Sequence, residues 1–263
     1  MDRVSEFNKE RWEALVKAHA LFSRPWLNET KESARQRVDP FRLLGEFQDK
    51  DVLCLAGGGG QQAVAFALNG ARVSVFDLSE GQLQRDQEAA QHYGYSVSTI
   101  EGDMRDLSVF ASDSFDIVSQ PYSLNFVPDC RAVFAQVARV LRRGGLYSFW
   151  AANPFAAGLG THSWNGRAYE IRLLYEQGQE LHYEDEAWIF PPDSATAKPS
   201  GPREYRQLLS TLINGLINSS FTLLHMEEIG HKPADDLSPG EWDHFTAVLP
   251  PWLSFFARLD RKE

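Results

Sequence analysis

Four consecutive glycines are the first residues whose type and spacing indicate chemistry. They run from Gly57 to Gly60, between a short apolar stretch ending at Ala56 and a helical pattern beginning at Gln61. Without side chains the backbone can approach a ligand closely, and the following helix offers free N–H groups at its positive end. The run therefore predicts a ligand-binding loop. A plain glycine-rich turn is the alternative, but ordering four glycines costs much chain entropy.

A carboxylate follows the glycines at a spacing typical of nucleotide sites. Asp77 ends the second apolar stretch, 19 residues after Gly58. In nucleotide-binding βαβ units an acid about 20 residues beyond the glycines accepts hydrogen bonds from the ribose hydroxyls. The alternative is a cap for the helix that follows, a role for which Ser79 is better suited. Asp77 is therefore predicted to hold a ribose.

A third signal, Gly102-Asp103-Met104, follows the third apolar stretch. The carboxylate there could accept a hydrogen bond from an adenine amine while Met104 packs on the ring; a simple turn capped by Asp103 is the alternative. The glycine loop also matches the G-x-G-x-x-A pattern of dinucleotide enzymes, so a nicotinamide-dependent oxidoreductase is a second candidate. The chain lacks the Tyr-x-x-x-Lys motif of one large branch of those enzymes.

Alternating strands and helices must position these three signals. Strands are predicted over 52–56, 72–77, 96–100, 115–120 and 146–152, with helices over 61–69, 79–93 and 129–143 between them. This alternation, with strands rich in Val, Ile and Leu, predicts a parallel sheet covered by helices on both faces. The carboxyl ends of parallel strands lie at one edge of the sheet, so the three signals are expected to share that edge.

The flanking segments are predicted to add a cap and an insert. Residues 1–50 are interpreted as an N-terminal helical cap and arm, with an amphipathic helix over 5–22 and one further short helix. Residues 153–200 interrupt the alternation and are interpreted as an insert of hairpin and loop after strand five. A helix is predicted over 203–218, followed by two closing strands over 221–229 and 252–259.

Composition limits the possible partners. The net charge of the 263-residue chain is −10 and no basic stripe is present, which disfavours binding to nucleic acid. The longest apolar runs are far shorter than the roughly 20 residues that span a membrane. Two cysteines without a CxxC pair and scattered histidines predict no metal site. With a polar N-terminus these features predict a cytoplasmic protein; the oligomeric state stays open.

Five blocks in order resemble class I S-adenosylmethionine-dependent methyltransferases: 52–62, 75–79, 101–107, 115–118 and 140–145. The run from Cys54-Leu55-Ala56 through the glycines to Gln61-Gln62 is similar to one bacterial branch of that class. The resemblance covers about residues 50–152, and more weakly the chain to Leu259. It implies a Rossmann-like α/β fold with a seven-stranded, mostly parallel sheet whose last strand is antiparallel, and residues 51–263 as the methyltransferase domain.

The resemblance also implies a cofactor, S-adenosylmethionine, with S-adenosylhomocysteine as product. The glycine loop would flank the methionine part of the cofactor. Asp77 would hold the ribose, Leu78 would lie against the adenine, and Gln120 would sit beside the sulfonium. The implied cofactor-binding residues are Ala56, Gly57, Gly58, Gly59, Gly60, Gln62, Asp77, Leu78, Gly102, Asp103, Met104 and Gln120.

Two positions depart from the family pattern. Most members have an acid where this chain has Cys54 and a glycine where it has Ala56. Without that acid the methionine amino group needs another anchor, for which Gln62 and the N-terminal helix are candidates. The departure also leaves open a protein that senses S-adenosylmethionine without catalysis. Gln120-Pro121-Tyr122 differs from the Asn/Asp-Pro-Pro-Tyr motif of nucleic-acid amino methylases, which disfavours such a substrate.

The resulting functional prediction is methyl transfer to a small molecule by in-line displacement, in which the protein supplies alignment and desolvation. Tyr122 follows strand four and is the candidate catalytic residue that contacts the acceptor; a rim aromatic is the alternative. The acidic run 184–186 favours an uncharged or cationic acceptor, bound between residues 1–30 and the insert. The insert aromatics expected to roof the site are Trp164, Tyr169, Tyr175, Tyr183 and Trp188.

Overall fold

The computed structural model describes residues 2–183, 189–191, 199–231 and 237–260. The strands in these residues are β1 (Asp51–Leu55), β2 (Arg72–Asp77), β3 (Val97–Glu101), β4 (Phe115–Gln120), β5 (Leu141–Ala152), β6 (Glu180–His182), β7 (Arg203–Tyr205), β8 (Phe221–Ile229) and β9 (Trp252–Leu259). The α-helices are α1 (Arg3–Lys17), α2 (Lys31–Val38), α3 (Gln62–Leu68), α4 (Glu80–Tyr93), α5 (Cys130–Val140), α6 (Leu209–Asn218) and α7 (Trp242–Val248).

Seven of these strands form one sheet in the order β3-β2-β1-β4-β5-β9-β8. The first five strands of this order pair in parallel, whereas β9 is antiparallel to both β5 and β8. The predicted α/β fold, with its antiparallel last strand, is therefore confirmed. Because Asp77 on β2 lies opposite Glu101 on β3, the loops after both strands leave the sheet side by side.

Helices cover both faces of the sheet, as predicted. On one face Val133 and Phe134 of α5 pack with Leu212 of α6 against the buried side of the strands. On the other face Phe66 of α3 and Leu83 of α4 pack with residues of the arm before β1. A parallel sheet buried on both faces explains the continuous apolar composition of β1, in which Val52 to Leu55 are wholly buried.

The first helix of the N-terminal cap ends earlier than predicted. Helix α1 begins after Asp2, whose carboxylate accepts the N–H groups of Val4 and Ser5, and it ends at Lys17 rather than at residue 22. His19 has a positive φ of 52°, which breaks the helix, and a 3-10 turn then spans Leu21–Ser23. Phe22 therefore fits the apolar periodicity of a helix, although it lies in the 3-10 turn that follows the helix.

Two further predicted boundaries are wrong for tertiary reasons. Helix α5 ends at Val140, and β5 begins at the next residue. Gly144 lies within β5 and has a φ of +79°. The pairing of β5 with β4 shifts register near this glycine, between Phe115 and Ile117 of β4. The helix predicted over 203–218 begins only at Leu209, because Arg203–Tyr205 pairs instead with Glu180–His182 in a two-stranded sheet. Helix α7 was not predicted. None of the described helices is long and apolar enough to cross a bilayer.

Candidate functional site

A cavity of about 1250 Å³ opens at the carboxyl edge of the parallel strands. Each of the loops that follow β1, β2 and β3 contributes to one part of its wall, which we call the strand-end half. The predicted cofactor residues in this half are Ala56, Gly58, Gln62, Asp77, Leu78, Gly102, Asp103 and Met104. The fold thus brings together the glycine loop, Asp77 and the Gly102–Met104 segment, which are spread over about 50 residues of the sequence.

The other predicted cofactor residues, Gly57, Gly59, Gly60 and Gln120, are not among the residues that line this cavity. A Cβ on Gly59 would lie 2.8 Å from the Phe22 carbonyl oxygen, and one on Gly60 would lie 2.6 Å from Pro25 Cβ. Both glycines also have positive φ angles. They are required where the arm crosses the loop, so two of the four glycines serve packing of the cap.

Gln120 lies behind the cavity wall. Its Oε1 accepts a hydrogen bond from the hydroxyl of Tyr147 at 2.5 Å, and its Nε2 donates to Ser123 Oγ at 2.9 Å. The same Nε2 lies 3.2 Å from the sulfur of Met104, which does line the cavity. The structure therefore makes Gln120 a support for Met104, and its predicted place beside a sulfonium stays a prediction.

Asp77 is held by two backbone hydrogen bonds. Its Oδ2 accepts the N–H of Gly58 at 3.0 Å, and its Oδ1 accepts the N–H of Ser79 at 2.9 Å. Burial raises the pKa of this carboxyl, and the nearby charge of Glu13 raises it further. Ser79 caps α4 by accepting the Gln82 N–H, so Asp77 both orders the loop and faces the cavity.

Asp103 is tied to the N-terminal cap. Its carboxylate accepts hydrogen bonds from the Arg105 guanidinium at 2.6 Å and from Ser5 Oγ at 2.5 Å. Although burial opposes it, these bonds hold the pKa of Asp103 below its usual value. Arg105 also pairs with Asp2 at 2.7 Å. The first turn of α1 is thereby fastened to the loop after β3, and Val4, Ser5 and Asn8 become part of the cavity wall.

A buried acid lies beneath the glycine loop, near the position where the family pattern has one. Asp86 of α4 is fully buried, and its Oδ2 accepts the Gly59 N–H at 3.0 Å. Burial raises the pKa of Asp86 well above its usual value. Burial and the nearby Asp86 also raise the pKa of Cys54. Asp86 was not among the predicted site residues. The sequence does contain one indication of it, since Asp86 follows Leu83 by three residues and so lies on the apolar face of α4.

Ala56 adopts a backbone conformation that favours glycine. Its φ is +46°, in the left-handed region that a Cβ disfavours. The N–H of Ala56 donates to the Phe76 carbonyl at 2.7 Å and so holds the residue in this turn. The departure noted in the sequence therefore places a side chain at a position of local backbone strain.

The remaining wall is mostly aromatic, and we call it the aromatic half. Trp12 packs edge-on against Phe126, which in turn packs edge-on against Tyr122. Trp242 lies against Trp252 with ring centroids 6.0 Å apart. The sequence predicted Tyr122, and Trp12 within residues 1–30, at the acceptor, but it did not place the other rings in the same wall, because the rings of this half come from five different segments. The lining residues that form this half are Trp12, Tyr122, Phe126, Trp150, Trp242, Phe245, Trp252 and Glu204.

The predicted roof of insert aromatics is largely wrong. Trp164 and Tyr169 pack on each other and on His244, and Tyr175 stacks on Phe155; none of the three lines the cavity. Tyr183 does line it. Trp188 and the acidic run 184–186 lie outside the described residues. Aromatic side chains in a loop-rich insert pack on one another as readily as they bind a ligand, so composition alone did not predict their place.

Tyr122 is joined to an acid that the sequence did not single out. Its hydroxyl donates to Glu204 Oε2 at 2.5 Å, and both residues line the cavity. Burial raises the pKa of Tyr122 well above its usual value, and the Glu204 charge adds to the effect. Tyr122 is therefore a hydroxyl donor in the structure. Among the described residues no group of three His, Cys, Asp or Glu side chains is placed to hold a metal ion.

The strand-end half fits an adenosine-bearing ligand. A Cβ on Gly58 would lie 2.7 Å from Gln82 Cβ and 3.1 Å from the Asp77 carboxylate, so only bare backbone fits between these groups and the cavity. Gln82 also lines the cavity, and its buried Oε1 accepts no hydrogen bond from any described residue. The exposed backbone at Gly58 allows a ligand to approach closely, and the Asp77 carboxylate and the Gln82 oxygen are hydrogen-bond acceptors. Such a site suits a ribose and a cationic ligand group.

The chain is similar in sequence to known methyltransferases. A family model described as a methyltransferase domain matches residues 53–149. Demethylmenaquinone methyltransferase of Corynebacterium glutamicum is 32% identical over 179 residues, which are 68% of this chain and 71% of that protein. The uncharacterized methyltransferase YbaJ of Bacillus subtilis is 44% identical over 103 residues, or 39% of this chain, and the match spans only 40% of YbaJ.

Solved structures show the same fold at low sequence identity. An S-adenosylmethionine dependent methyltransferase from Mesorhizobium loti superposes with a TM-score of 0.62 at 24% identity, covering 89% of this chain and 100% of that one. One from Clostridium acetobutylicum has a TM-score of 0.61 at 13% identity, covering 89% and 94%. The superposed part of this chain is therefore longer than residues 53–149.

Proposed function

Because the chain belongs to the class I S-adenosylmethionine-dependent methyltransferases, we propose that it transfers a methyl group to a small molecule held in the aromatic half of its cavity. The observation that carries the proposal is the continuity of that cavity. One wall has the strand-end loops that suit the cofactor, and the opposite wall offers apolar rings without a basic patch.

S-adenosylmethionine, when bound, supplies a methyl group on a cationic sulfur that is already activated for displacement. The chain's residues then need to bind, align and exclude water. Gly58 and Gln62 would lie along the methionine part, Asp77 would accept ribose hydroxyls, and Met104 would pack on the adenine. Helix α1 closes one side of the cavity through Arg105 and so limits access of water.

The acceptor proposal draws on both the wall and the relatives. Among the relatives are a demethylmenaquinone methyltransferase and ubiquinone biosynthesis O-methyltransferases. Those names concern quinone chemistry, and flat apolar rings of that kind match a wall built from tryptophan and phenylalanine. We therefore propose an apolar, ring-bearing small molecule, with no nucleic-acid or membrane partner, in a cytoplasmic protein.

Ligand-dependent unfolding tests the cofactor. S-adenosylmethionine and S-adenosylhomocysteine should raise the melting temperature, whereas NADH and NADPH should not, because a ligand specific to the native state adds roughly 2.7 kcal/mol at a hundredfold excess over Kd. Stabilisation by NADH alone would favour the oxidoreductase. Incubating the protein with S-adenosylmethionine and a metabolite extract should yield a methylated product by mass spectrometry; cofactor binding without any product would favour the sensor.

A further inference from the structure

We propose that Gln82 is a second ribose-binding residue, whose side-chain amide oxygen accepts a hydrogen bond from one hydroxyl of the sugar while Asp77 accepts one from the other. The inference rests on the proposed function and adds to it a residue that selects the ligand's sugar. Gln82 is only 2% exposed, and its Oε1 has no hydrogen-bond donor in the described part of the chain. The same side chain lines the cavity. A buried acceptor without a donor is costly, so this position calls for a ligand that supplies one.

The amide of Gln82 lacks its usual local partner because Asp77 takes it. Ser79 is the N-cap of α4, and Gln82 follows it by three residues, which is the spacing of a capping box. In a capping box the side chain of the third helical residue accepts the backbone N–H of the N-cap residue. Here the N–H of Ser79 donates instead to Asp77 Oδ1 at 2.9 Å. The Gln82 oxygen is therefore left available for a ligand.

Gln82 and Asp77 flank the same glycine at the cavity. A Cβ on Gly58 would lie 2.7 Å from Gln82 Cβ and 3.1 Å from Asp77 Oδ2. The Gln82 Oε1 would lie 3.2 Å from a Cβ on Gly59, so the amide extends along the bare backbone of the loop. The terminal torsion of glutamine is broad, and rotation about it can turn the oxygen toward a ligand that contacts this backbone. The two hydroxyls of a ribose sit on neighbouring carbons and so suit two neighbouring acceptors.

A neutral acceptor suits the charges of this region better than another acid would. Burial raises the pKa of Asp77, and the charge of Glu13 raises it further. Burial likewise raises the pKa of Asp86, and the charge of Asp77 adds to the effect. A further carboxylate beside these three acids would increase their mutual repulsion. The amide of Gln82 adds an acceptor without adding a charge.

The backbone of Gln82 is held on both sides. Its N–H donates to Ser79 Oγ at 3.1 Å, and its carbonyl accepts the Gly59 N–H at 3.0 Å. Helix α4 is itself joined to α1, since Glu13 accepts the N–H of Gly81 at 3.0 Å. A side chain that leaves such a fixed backbone can present its amide to the sugar in a constant position.

The test compares three ligands in two proteins by calorimetric titration. The ligands are S-adenosylhomocysteine and its 2′-deoxy and 3′-deoxy analogues. The proteins are the wild type and Gln82→Met, which keeps a side chain of similar length without the amide oxygen. Gln82→Met should bind S-adenosylhomocysteine roughly threefold to tenfold more weakly, the effect of one neutral hydrogen bond. With one of the two deoxy analogues this difference should vanish, because the hydroxyl that Gln82 holds is missing, and with the other it should remain.

Stability gives a second readout that a purely structural role would not produce. Methionine replaces a buried oxygen that no described residue satisfies, so Gln82→Met should unfold at the same urea concentration as the wild type or at a higher one. A clear loss of stability would show that groups of the protein satisfy the amide, and it would overturn the inference.

Controls separate the remaining outcomes. Gln62→Met removes another amide that lines the cavity, and any loss that it causes should be equal for all three ligands. The ligand 5′-methylthioadenosine carries the ribose without the amino-acid part, so Gln82→Met should weaken its binding by the same factor as that of S-adenosylhomocysteine. The inference is overturned by unchanged affinity of Gln82→Met for S-adenosylhomocysteine, by an equal loss with all three ligands, or by no loss with 5′-methylthioadenosine. A wild type that does not bind S-adenosylhomocysteine would instead refute the proposed function.

Discussion

Replacing Asp77 by asparagine should separate cofactor binding from stability. The carboxylate accepts the N–H groups of Gly58 and Ser79, at 3.0 and 2.9 Å. Asparagine has the same size and keeps one acceptor oxygen. Its NH₂ group, however, would face the second backbone N–H, and since both groups are donors that hydrogen bond is lost. One unsatisfied buried N–H costs about 1–3 kcal/mol. Removing the charge recovers part of this cost, because burial disfavours the ionised carboxylate.

We therefore expect Asp77→Asn to lose only about 1 kcal/mol of unfolding free energy, whereas Asp77→Ala leaves both N–H groups without an acceptor and should lose about 2–4 kcal/mol. Affinity for S-adenosylhomocysteine should fall in Asp77→Asn by about 1.5–3 kcal/mol, or roughly tenfold to 150-fold, if the carboxylate holds the ribose. Asp51→Asn is the matched control, since Asp51 begins β1 at the opposite edge of the sheet.

Calorimetric titration gives the affinity and urea unfolding gives the stability. The pH dependence supplies an independent check. Because the pKa of Asp77 is raised in the folded protein, the native state binds this proton more tightly than the unfolded chain does. Its contribution to stability therefore falls as the pH rises from about 3.9 through the raised pKa, and the asparagine variant should lack this loss. Unchanged affinity in Asp77→Asn would show that Asp77 only orders the loop and caps the helix. A lower unfolding free energy in Asp77→Asn than in Asp77→Ala would refute the hydrogen-bond argument.

Three other predictions follow from the loop and its surroundings. Ala56→Gly should raise the unfolding free energy by up to about 1 kcal/mol in urea titrations, because glycine tolerates the φ of +46°; a clear loss would show that the side chain's packing outweighs the strain. Asp86→Ala should lose about 0.5–1.5 kcal/mol of stability and weaken binding of S-adenosylhomocysteine, because the buried Gly59 N–H loses one of its two acceptors and keeps the Gln82 carbonyl at 3.0 Å; unchanged affinity would separate Asp86 from the cofactor loop. Burial raises the pKa of Cys130 to about 12 and that of Cys54 well above its usual value, so a thiol reagent at neutral pH should label neither cysteine until urea unfolds the protein.

The strand-end half of the cavity was predictable because its signals are local. A glycine run, an acid about 20 residues later and an acid after the next strand each lie at the end of a β-strand. Parallel pairing then brings all of them to one edge whatever the details of packing. Asp77, Asp103 and Met104 line the cavity for this reason, and their predicted contacts with the cofactor stay predictions.

The aromatic half was not predictable because no local pattern defines it. Trp12, Trp150 and Trp242 come from a cap helix, a central strand and a late helix, and each has a spacing that fits ordinary core packing. Glu204 lies in a segment that continues into a helical pattern, and only pairing with β6 shows it to be a strand residue. Three of the insert aromatics pack outside the cavity instead, Trp164 on Tyr169 and Tyr175 on Phe155.

The glycine loop connects the two halves of the cavity through its packing on the arm. The arm donates from the Trp26 N–H to the Gly60 carbonyl at 2.9 Å, and the Phe22 carbonyl comes so close that a Cβ on Gly59 would lie 2.8 Å from it. Asp86 holds the same loop from below. Cofactor binding that orders this loop should therefore also order the arm and α1, which carries Trp12 into the aromatic half. An ordered cofactor loop thus favours a closed acceptor wall, so cofactor binding should precede tight binding of the acceptor.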